Sequence, residues 1–322
     1  MRSHLPMAVM LAGLGAFGAA GAQDFPTKPI RLVVPFSPGG GTDLQARTIA
    51  QGLHEAWGQP VVVDHRPGGT GAVGSAAVLN SPADGYTLII VTSSTHAIAP
   101  NLHRKPPYDP VGDFTAVAQT ATAPEVVVAH PSLPVKTIKQ LIAFAKANPG
   151  KLNFASPGAG TIGHMTGELF KIVTGVNIVH VAYKGSGSAT RELLGGQVEL
   201  MFSAPGAVIS HVRAGRLRAL AAATARRSPN LKDIPTLAEA GYPGIEASNW
   251  YGILARAGTP GAITEKLNQA IVKIMAAPKV QEMLAKQGYD VETTTAAQFS
   301  DHLKNEYAKW QKVVSKSGMT LQ

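Results

Sequence analysis

The sequence predicts an α/β protein made of two lobes, and three observations carry that prediction. Short apolar, β-branched runs such as residues 30–34 alternate with helical stretches, which is typical of parallel sheets covered on both faces. Two such series follow one another, and each is large enough for one domain of a 322-residue chain. Glycine-rich turns follow several strands, at the edge where open α/β sheets bind ligands.

The elements of the first series can be assigned in order. Strands are predicted over residues 30–34, 61–63 and 88–91. After the first strand, Thr42 or Asp43 is placed to cap a helix that runs to about Trp57 and is closed by Gly58. A second helix is predicted over residues 72–79, before the third strand.

The second series repeats this order. Its predicted strands are residues 126–128, 152–155, 178–181, 200–202 and 217–223, with an extended segment at 247–254. Apolar residues spaced i, i+3, i+4 and i+7 from Ile138 to Ala145 predict an amphipathic helix. From Ile263 to about Val314 the chain is predicted to be mostly helical, with a break near Gly288.

Two segments are predicted to pass between the lobes, residues 118–124 and 244–250. A chain that enters the second lobe and returns leaves the first lobe discontinuous. The predicted boundaries are therefore 23–122 with 246–322 for lobe 1, and 123–245 for lobe 2.

The N-terminus predicts export. Residues 1–4 are short and basic, residues 7–20 are small and apolar, and Ala20-Gly21-Ala22 offers a small-x-small cleavage site. Residues 1–22 are therefore predicted to be a signal peptide cleaved near Ala22; the alternative is a buried N-terminal helix. Because the chain has no cysteine, a bacterial periplasm fits better than a eukaryotic secretory route.

Composition excludes several classes of protein. An apolar fraction of 45% supports a substantial core, and disorder, collagen and coiled coil do not fit this composition. The absence of cysteine excludes disulfides, thiol nucleophiles and cysteine-ligated metals. The formal charge is +9, but the basic residues are scattered and do not interleave with aromatics. We therefore expect a diffusely positive surface that attracts anions, and no nucleic-acid partner.

The glycine turns are the candidate ligand site. Glycine lets backbone N–H groups approach a ligand closely, and a following helix adds unpaired N–H groups with a partial positive charge. Two such turns on facing lobes can hold a carboxylate without arginine. The candidate binding residues in these turns are Ser37, Pro38, Gly39, Gly40, Gly41, Thr42, Asp43, Thr92, Ser93, Ser94, Ser156, Gly158, Ala159, Gly160 and Thr161.

Four polar residues near the turns are further candidates. Asp43 is either an N-cap or an acceptor for a ligand group. His164 lies one turn into its helix, where it either contacts ligand or packs. Tyr183 and Lys184 follow a strand at the same edge and are candidate cleft residues.

Common catalytic and cofactor motifs do not match. Leu44 stands at the third glycine position of G-x-G-x-x-G, although Asp64 ends the second strand where a ribose-binding acid would lie. No phosphate-binding P-loop, serine-hydrolase elbow or Ser-x-x-Lys is present. His54-Glu55 does not continue into H-E-x-x-H. We therefore expect no cofactor, no metal and no enzymatic activity.

Residues 25–43, Phe-Pro-Thr-Lys-Pro-Ile-Arg-Leu-Val-Val-Pro-Phe-Ser-Pro-Gly-Gly-Gly-Thr-Asp, resemble the opening of the Bug proteins. These TctC-like proteins are the substrate-binding components of tripartite tricarboxylate transporters in Gram-negative bacteria. The resemblance extends over nearly all of the mature chain. It continues through residues 66–68, 84–88, 107–110, 152–161 with His164, 183–185, 194–197, 217–220, 239–241 and 257–260.

The resemblance implies a type II periplasmic-binding-protein fold, with two α/β lobes that close on a small ligand, usually a carboxylate. It also implies ligand contacts from both glycine turns, from residues 92–94 and from Ser203. The sequence departs from the family pattern at His65, where asparagine is frequent, and at Pro106, where leucine is common. Ser203 stands where some members carry aspartate, which argues against amino-acid ligands.

The leading hypothesis is thus a monomeric periplasmic receptor that delivers a small carboxylate to membrane permease subunits. One alternative is a sensor that presents its ligand to a membrane kinase. Another is an exported serine hydrolase that uses Ser156 or Ser203.

Overall fold

The computed structural model describes residues 25–317. The predicted signal peptide, residues 1–22, lies outside the described residues. The described strands are β1 (Ile30–Val34), β2 (Val61–His65), β3 (Thr87–Thr92), β4 (Phe114–Pro124), β5 (Val126–Ala129), β6 (Asn153–Ser156), β7 (Val179–Ala182), β8 (Leu200–Ser203), β9 (Arg218–Ala222), β10 (Ser248–Arg256) and β11 (Asp290–Val291).

The helices include the predicted ones and several that the sequence analysis did not predict. They are α1 (Gly41–Trp57), α2 (Ala72–Leu79), α3 (Ala99–Leu102), α4 (Ile138–Ala147), α5 (Ile162–Thr174), α6 (Ser186–Leu194), α7 (Ile209–Arg213), α8 (Gly261–Ala276), α9 (Pro278–Lys286) and α10 (Ala296–Ser317). Short 3-10 turns cover Gly69–Gly71 and Pro205–Ala207, and a π-helical segment covers Ser94–Ile98.

The strands form two sheets, one in each lobe. The first has the order β11-β4-β10-β3-β1-β2, and the second has the order β7-β6-β8-β5-β9. The two-lobe α/β fold predicted from the sequence is confirmed, but the purely parallel sheet is wrong. β10 runs antiparallel to both β3 and β4, and β5 runs antiparallel to both β8 and β9. The antiparallel strands include those that carry the chain from one lobe to the other.

The chain crosses between the sheets at Glu125. This residue alone separates β4 from β5, so residues 118–124, predicted as a passage, are instead part of a strand of the first sheet. The Glu125 N–H donates to the carbonyl of Ala247 at 2.9 Å, and the Ala223 N–H donates to the carbonyl of Glu125 at 2.8 Å. The Ala247 N–H donates in turn to Ala223 at 2.9 Å. Three segments are therefore tied together at the base of the cleft.

The helix after β1 shows why the sequence folds locally as it does. α1 buries Ala46, Ile49 and Leu53 along one face against the first sheet, and Gly58 ends it in the left-handed conformation. The prediction that Thr42 or Asp43 caps this helix is wrong. The N-cap is Gly40, which offers no side chain, and both predicted caps lie inside the first turn.

The C-terminal region covers the first lobe. It is helical as predicted, with breaks at Ala277 and at the short strand β11. Phe299 of α10 packs so closely against Gly252 of β10 that a Cβ on this glycine would overlap the phenylalanine ring. Trp250 is buried beside Phe299, so it is a core residue. Across residues 25–317, no helix combines the length and the apolar character that a bilayer crossing requires.

Candidate functional site

Three helices begin at the cleft between the lobes. α1 follows β1 in the first lobe, whereas α5 and α6 follow β6 and β7 in the second. The first turns of all three border one cavity through Gly41, Thr42, Ile162 and Ser186. Because helix N-termini carry unpaired N–H groups and a partial positive charge, both lobes favour an anion at this place.

The cavity itself measures about 20 Å³, roughly the space of one water molecule. A larger groove of about 1080 Å³ lies in the first lobe, between α1, α8 and α9, and no described residue of the second lobe lines it. We take the cleft as the site because helix N-termini of both lobes converge there. Its lining residues are Phe36, Gly41, Thr42, Thr92, Ser94, Glu125, Pro157, Ile162, Ser186, Ala204, Asn249 and Tyr251.

Asp43 holds the first glycine turn in shape. Its Oδ2 accepts the Gly39 N–H at 2.9 Å, and its Oδ1 lies 2.8 Å from both Arg47 Nε and His65 Nε2. Burial opposes ionisation, but the hydrogen bonds from Gly39, Arg47 and His65 outweigh it and lower the pKa of Asp43. Both oxygens thus act within the first lobe, and a role for Asp43 as a ligand contact stays a prediction. His65, which stands where asparagine is frequent in the Bug proteins, thus helps to hold the Asp43 carboxylate in place.

Hydroxyl groups hold the second glycine turn. Ser156 is fully buried, and its Oγ accepts the Gly158 N–H at 3.2 Å. Thr161 Oγ1 donates to the carbonyl of Gly158 at 2.7 Å and accepts the His164 N–H, which makes Thr161 the N-cap of α5.

Two stacked imidazoles support the same turn from behind. The Gly160 N–H donates to His164 Nδ1 at 3.0 Å, and the rings of His164 and His180 stack with centroids 3.9 Å apart. His180 Nε2 lies 2.6 Å from Ser156 Oγ. Burial, with smaller effects of His164 and Lys171, lowers the pKa of His180 to about 3. Burial also lowers the pKa of His164, so both rings are neutral near pH 7.

A third turn, residues 183–187, makes the closest contact with the first lobe. The Ser37 N–H donates to the carbonyl of Lys184 at 2.9 Å. Gly185 has a φ of +139°, and a Cβ there would lie 2.9 Å from the Ser37 nitrogen. A Cβ at Gly187 would lie only 1.9 Å from the Pro38 carbonyl oxygen. The two backbones approach this closely only because both positions are glycine.

Two further hydrogen bonds cross the cleft. Thr70 Oγ1 donates to the carbonyl of Ala159 at 2.6 Å, and the Ile162 N–H donates to Ser94 Oγ at 3.0 Å. Thr70 has a left-handed backbone with φ 47°, which is uncommon for threonine. The sequence pattern did not single out Thr70, because its role depends on a contact with the other lobe.

The end of β3 contributes three hydroxyl residues, as predicted, but in a different shape. Thr92 ends the strand and Ser94 begins a π-helical segment, so the predicted open turn is wrong. Thr92 and Ser94 border the cavity, whereas Ser93 is buried and donates to Asn249 Oδ1 at 2.5 Å.

Glu125 and Tyr251 are cavity residues that the sequence analysis missed. Glu125 is 1% exposed, and its Oε2 is a buried atom without a hydrogen-bond partner in the described part of the chain. Burial raises the pKa of Glu125 to about 8, so the carboxyl is mainly neutral at pH 7. Burial likewise raises the pKa of Tyr251 well above 10. Only the folded arrangement brings them to the cleft.

The remaining predicted residues lie around the cleft but not along the cavity. Tyr183 is half-buried and the Lys184 side chain is exposed, while only the Lys184 carbonyl reaches the first lobe. Ser203 is buried and its Oγ donates to Ser186 Oγ at 3.2 Å. Their roles as ligand contacts stay predictions.

The serine-hydrolase alternative rests on Ser156 or Ser203. The Ser156–His180 pair has the distance of a nucleophile and its base, but the serine hydroxyl is fully buried and holds the backbone of its own turn. Within residues 25–317, no group of three or more acidic or histidine side chains is placed to bind a metal. The prediction of no metal stays a prediction.

Two α/β lobes, joined by strands at the base of a cleft lined by helix N-termini, define a two-lobe periplasmic solute-binding protein. A family model described as "TctC: Tripartite tricarboxylate transporter family receptor" matches residues 45–319. The chain belongs to this family, as the resemblance to the Bug proteins implied.

Similar proteins support this assignment over nearly the whole chain. BugT of Bordetella pertussis is 38% identical over 314 residues, which are 97% of this chain and 96% of BugT. A Rhodopseudomonas palustris protein solved with adipate is 38% identical with a TM-score of 0.88, covering 92% of this chain and 99% of that one. MatC from the same organism, solved with bound malate, is 30% identical with a TM-score of 0.85, covering 90% and 100%.

Proposed function

We propose that this protein captures a small carboxylate in the periplasm and delivers it to the permease subunits of a tripartite tricarboxylate transporter. The observation that carries the proposal is the convergence of three helix N-termini, from both lobes, on one cavity. The adipate and malate complexes of similar proteins support a carboxylate ligand. Export of a monomer, by a signal peptide over residues 1–22, belongs to the same proposal.

The energetics of such a site are sufficient without a cation. A hydrogen bond to a charged group contributes about 1.5–3 kcal/mol net. Three or four of these, together with buried surface of the ligand, reach the ~8 kcal/mol of micromolar binding. Backbone N–H groups of α1, α5 and α6 are the donors that we expect.

Ligand entry requires the lobes to separate. The cavity of about 20 Å³ is too small for a dicarboxylate, and hydrogen bonds such as Thr70 to Ala159 close it. We propose that lobe 1 rotates against lobe 2 about Glu125, where the chain passes from β4 of the first sheet to β5 of the second. A ligand held by both lobes stabilises the closed form because it makes its full set of contacts only there.

Calorimetric titration tests the proposal. Adipate, malate and citrate are titrated into the mature protein, with the diamine cadaverine as a matched control of opposite charge. We expect at least one acid to bind with a micromolar or lower Kd, and cadaverine not to bind. Binding of none of the acids, together with no ligand-dependent change in small-angle scattering, would contradict the proposal.

A further inference from the structure

Glu125 stands out because it is the only acid that lines the cavity among the described residues. Its backbone joins the two sheets, and its side chain points into the cleft, where Oε2 has no hydrogen-bond partner within residues 25–317. A buried polar atom without a partner costs free energy, so a ligand atom that satisfies it gains affinity.

The groups around Glu125 are neutral or apolar. Tyr251 of β10 and Tyr289, which precedes β11, are the titratable groups that interact with it electrostatically. From α5, the first turn faces it: a Cβ on Gly163 would lie 3.2 Å from Glu125 Oε2. His164, the next residue of that turn, has Nδ1 engaged by Gly160. No lysine, arginine or histidine is among the cavity-lining residues that the structure describes.

In these surroundings, only one protonation state of the Glu125 carboxyl is compatible with a bound anion. An ionised carboxylate next to a ligand carboxylate would repel it, with no cation in the lining to offset the repulsion. A neutral carboxyl, by contrast, donates one O–H to an acceptor oxygen, as a carboxyl held neutral in an apolar site does. Burial already favours that neutral form in the closed protein.

We propose that Glu125 is a specificity residue, whose protonated carboxyl donates a hydrogen bond to an oxygen of the bound anion. This inference rests on the proposed function. Glu125 is more accessible to water when the lobes are apart, so closure around the anion takes up a proton from solvent. The proton goes to the Glu125 carboxylate, and no bond of the ligand changes.

Linkage gives the sign of the pH dependence. When the ligand-bound form holds a proton that the free form has lost, affinity falls as pH rises through that interval. Aliphatic dicarboxylates are fully ionised above pH 7, so they contribute no titration of their own. We expect the Kd of wild type for adipate or malate to rise about fivefold or more between pH 7 and pH 9.

The test is calorimetric titration with adipate and malate at pH 8, in two buffers of different ionisation enthalpy. The difference between the buffers measures the protons taken up per ligand. Wild type is expected to show positive uptake. Glu125→Gln keeps a donor but cannot ionise, so it is expected to bind within about threefold of wild type at pH 7 and to show no uptake. Glu125→Leu, which has no donor, is expected to bind at least tenfold more weakly, in proportion to one charge-assisted hydrogen bond.

Tyr251→Phe identifies the titrating group, since Tyr251 is the other titratable residue of the cavity. This variant is expected to keep the proton uptake whatever its affinity. Loss of uptake in Tyr251→Phe, unchanged uptake in Glu125→Gln, or wild-type affinity in Glu125→Leu would each overturn the inference. Binding without proton uptake by wild type overturns only the inference, whereas no binding of any acid overturns the proposed function as well.

Melting in saturating adipate or malate, which keeps the lobes closed, gives a second readout. A carboxyl whose pKa is higher in the folded than in the unfolded protein loses stabilisation as pH rises from the unfolded value to about 8. The melting temperature of wild type should therefore fall relative to that of Glu125→Gln between pH 5 and pH 8. A constant difference across this range would show that Glu125 is not held neutral and would overturn the inference.

Discussion

The two glycine turns face the same cavity but are held by different chemistry. In the first lobe, the carboxylate of Asp43 gathers three donors, two of them on side chains that can carry positive charge. In the second lobe, the turn is held by the hydroxyls of Ser156 and Thr161 and by neutral imidazoles. In both lobes, the helix that follows the turn begins at the cavity. The comparison teaches that two glycine turns before helices can be held by quite different supporting chemistry.

The first glycine turn, which is held by the Asp43 carboxylate, should show the largest loss of stability when that charge is removed without a change in side-chain volume. Asp43→Asn keeps the volume of the side chain but turns an NH2 group towards at least one of the donors. We expect a loss of about 2–3 kcal/mol in the free energy of unfolding, the range for hydrogen bonds to a buried charge. Urea unfolding at pH 7 measures it, and a loss below about 1 kcal/mol would contradict the charged support of this turn.

The second glycine turn, which is held by neutral groups, should lose less stability when one of them is removed. Ser156→Ala removes the acceptor of the Gly158 N–H and the partner of His180, and the smaller side chain leaves little strain. We expect a loss of about 1–2 kcal/mol, as for a neutral buried hydrogen bond with one partner left unpaired. The same unfolding series checks it. A loss equal to that of Asp43→Asn would remove the distinction between the turns.

The N-cap of α5 gives a smaller effect. Thr161→Ala removes the side chain that accepts the His164 N–H, and such caps contribute about 1 kcal/mol. Thr137→Ala, at the exposed N-cap of α4 away from the cleft, is the control for the cap alone and should cost less, because Thr161 also donates to the Gly158 carbonyl. Ligand affinity should fall only in Thr161→Ala, since α5 begins at the cavity and α4 does not. Equal affinities in both variants would argue against a part for α5 in binding.

Mild acid should give the smallest loss of stability, and the two turns should lose their supporting contributions in different pH ranges. His180 has a lower pKa folded than unfolded, so its contribution to stability is lost as pH falls from about 6.5 towards 3. The contribution of Asp43 is lost only below its unfolded value of 3.8. We expect the part of the free energy of unfolding that depends on His180 to fall by about 1 kcal/mol or less between pH 7 and pH 5.5, after allowance for solvent screening. His180→Gln should show a shallower slope in this range, and an equal slope would assign the loss to other groups.

Much of the fold followed from local sequence. The predicted helix ending at Gly58 and the amphipathic helix from Ile138 to Ala147 are confirmed, because apolar spacing and terminal glycines act locally. The antiparallel direction of β4 and β10 did not follow. Apolar alternation gives no strand direction, and these strands are paired with residues far away in the sequence.

Local sequence also predicted only part of the candidate site. The turns around Gly39 and Gly158 were found from their glycines and from the helices that follow them. Glu125, Thr70 and Asn249 were missed, since each is an ordinary residue whose role arises from a neighbour more than 80 residues away in the sequence. The N-cap of α1 was also missed, because the turn uses Asp43 to bind Gly39 and leaves the cap to the backbone of Gly40.

The central claim, that backbone groups of both lobes hold one anion by closing on it, has a direct test in Gly187→Ala. A Cβ at this position would meet the Pro38 carbonyl only when the lobes are closed, while the helix itself accepts alanine. Gly261→Ala, in the first turn of α8 with open space around it, is the matched control. Calorimetry with the acid that binds wild type should show at least a hundredfold loss of affinity in Gly187→Ala and none in Gly261→Ala. Wild-type affinity in a folded Gly187→Ala protein would contradict the account.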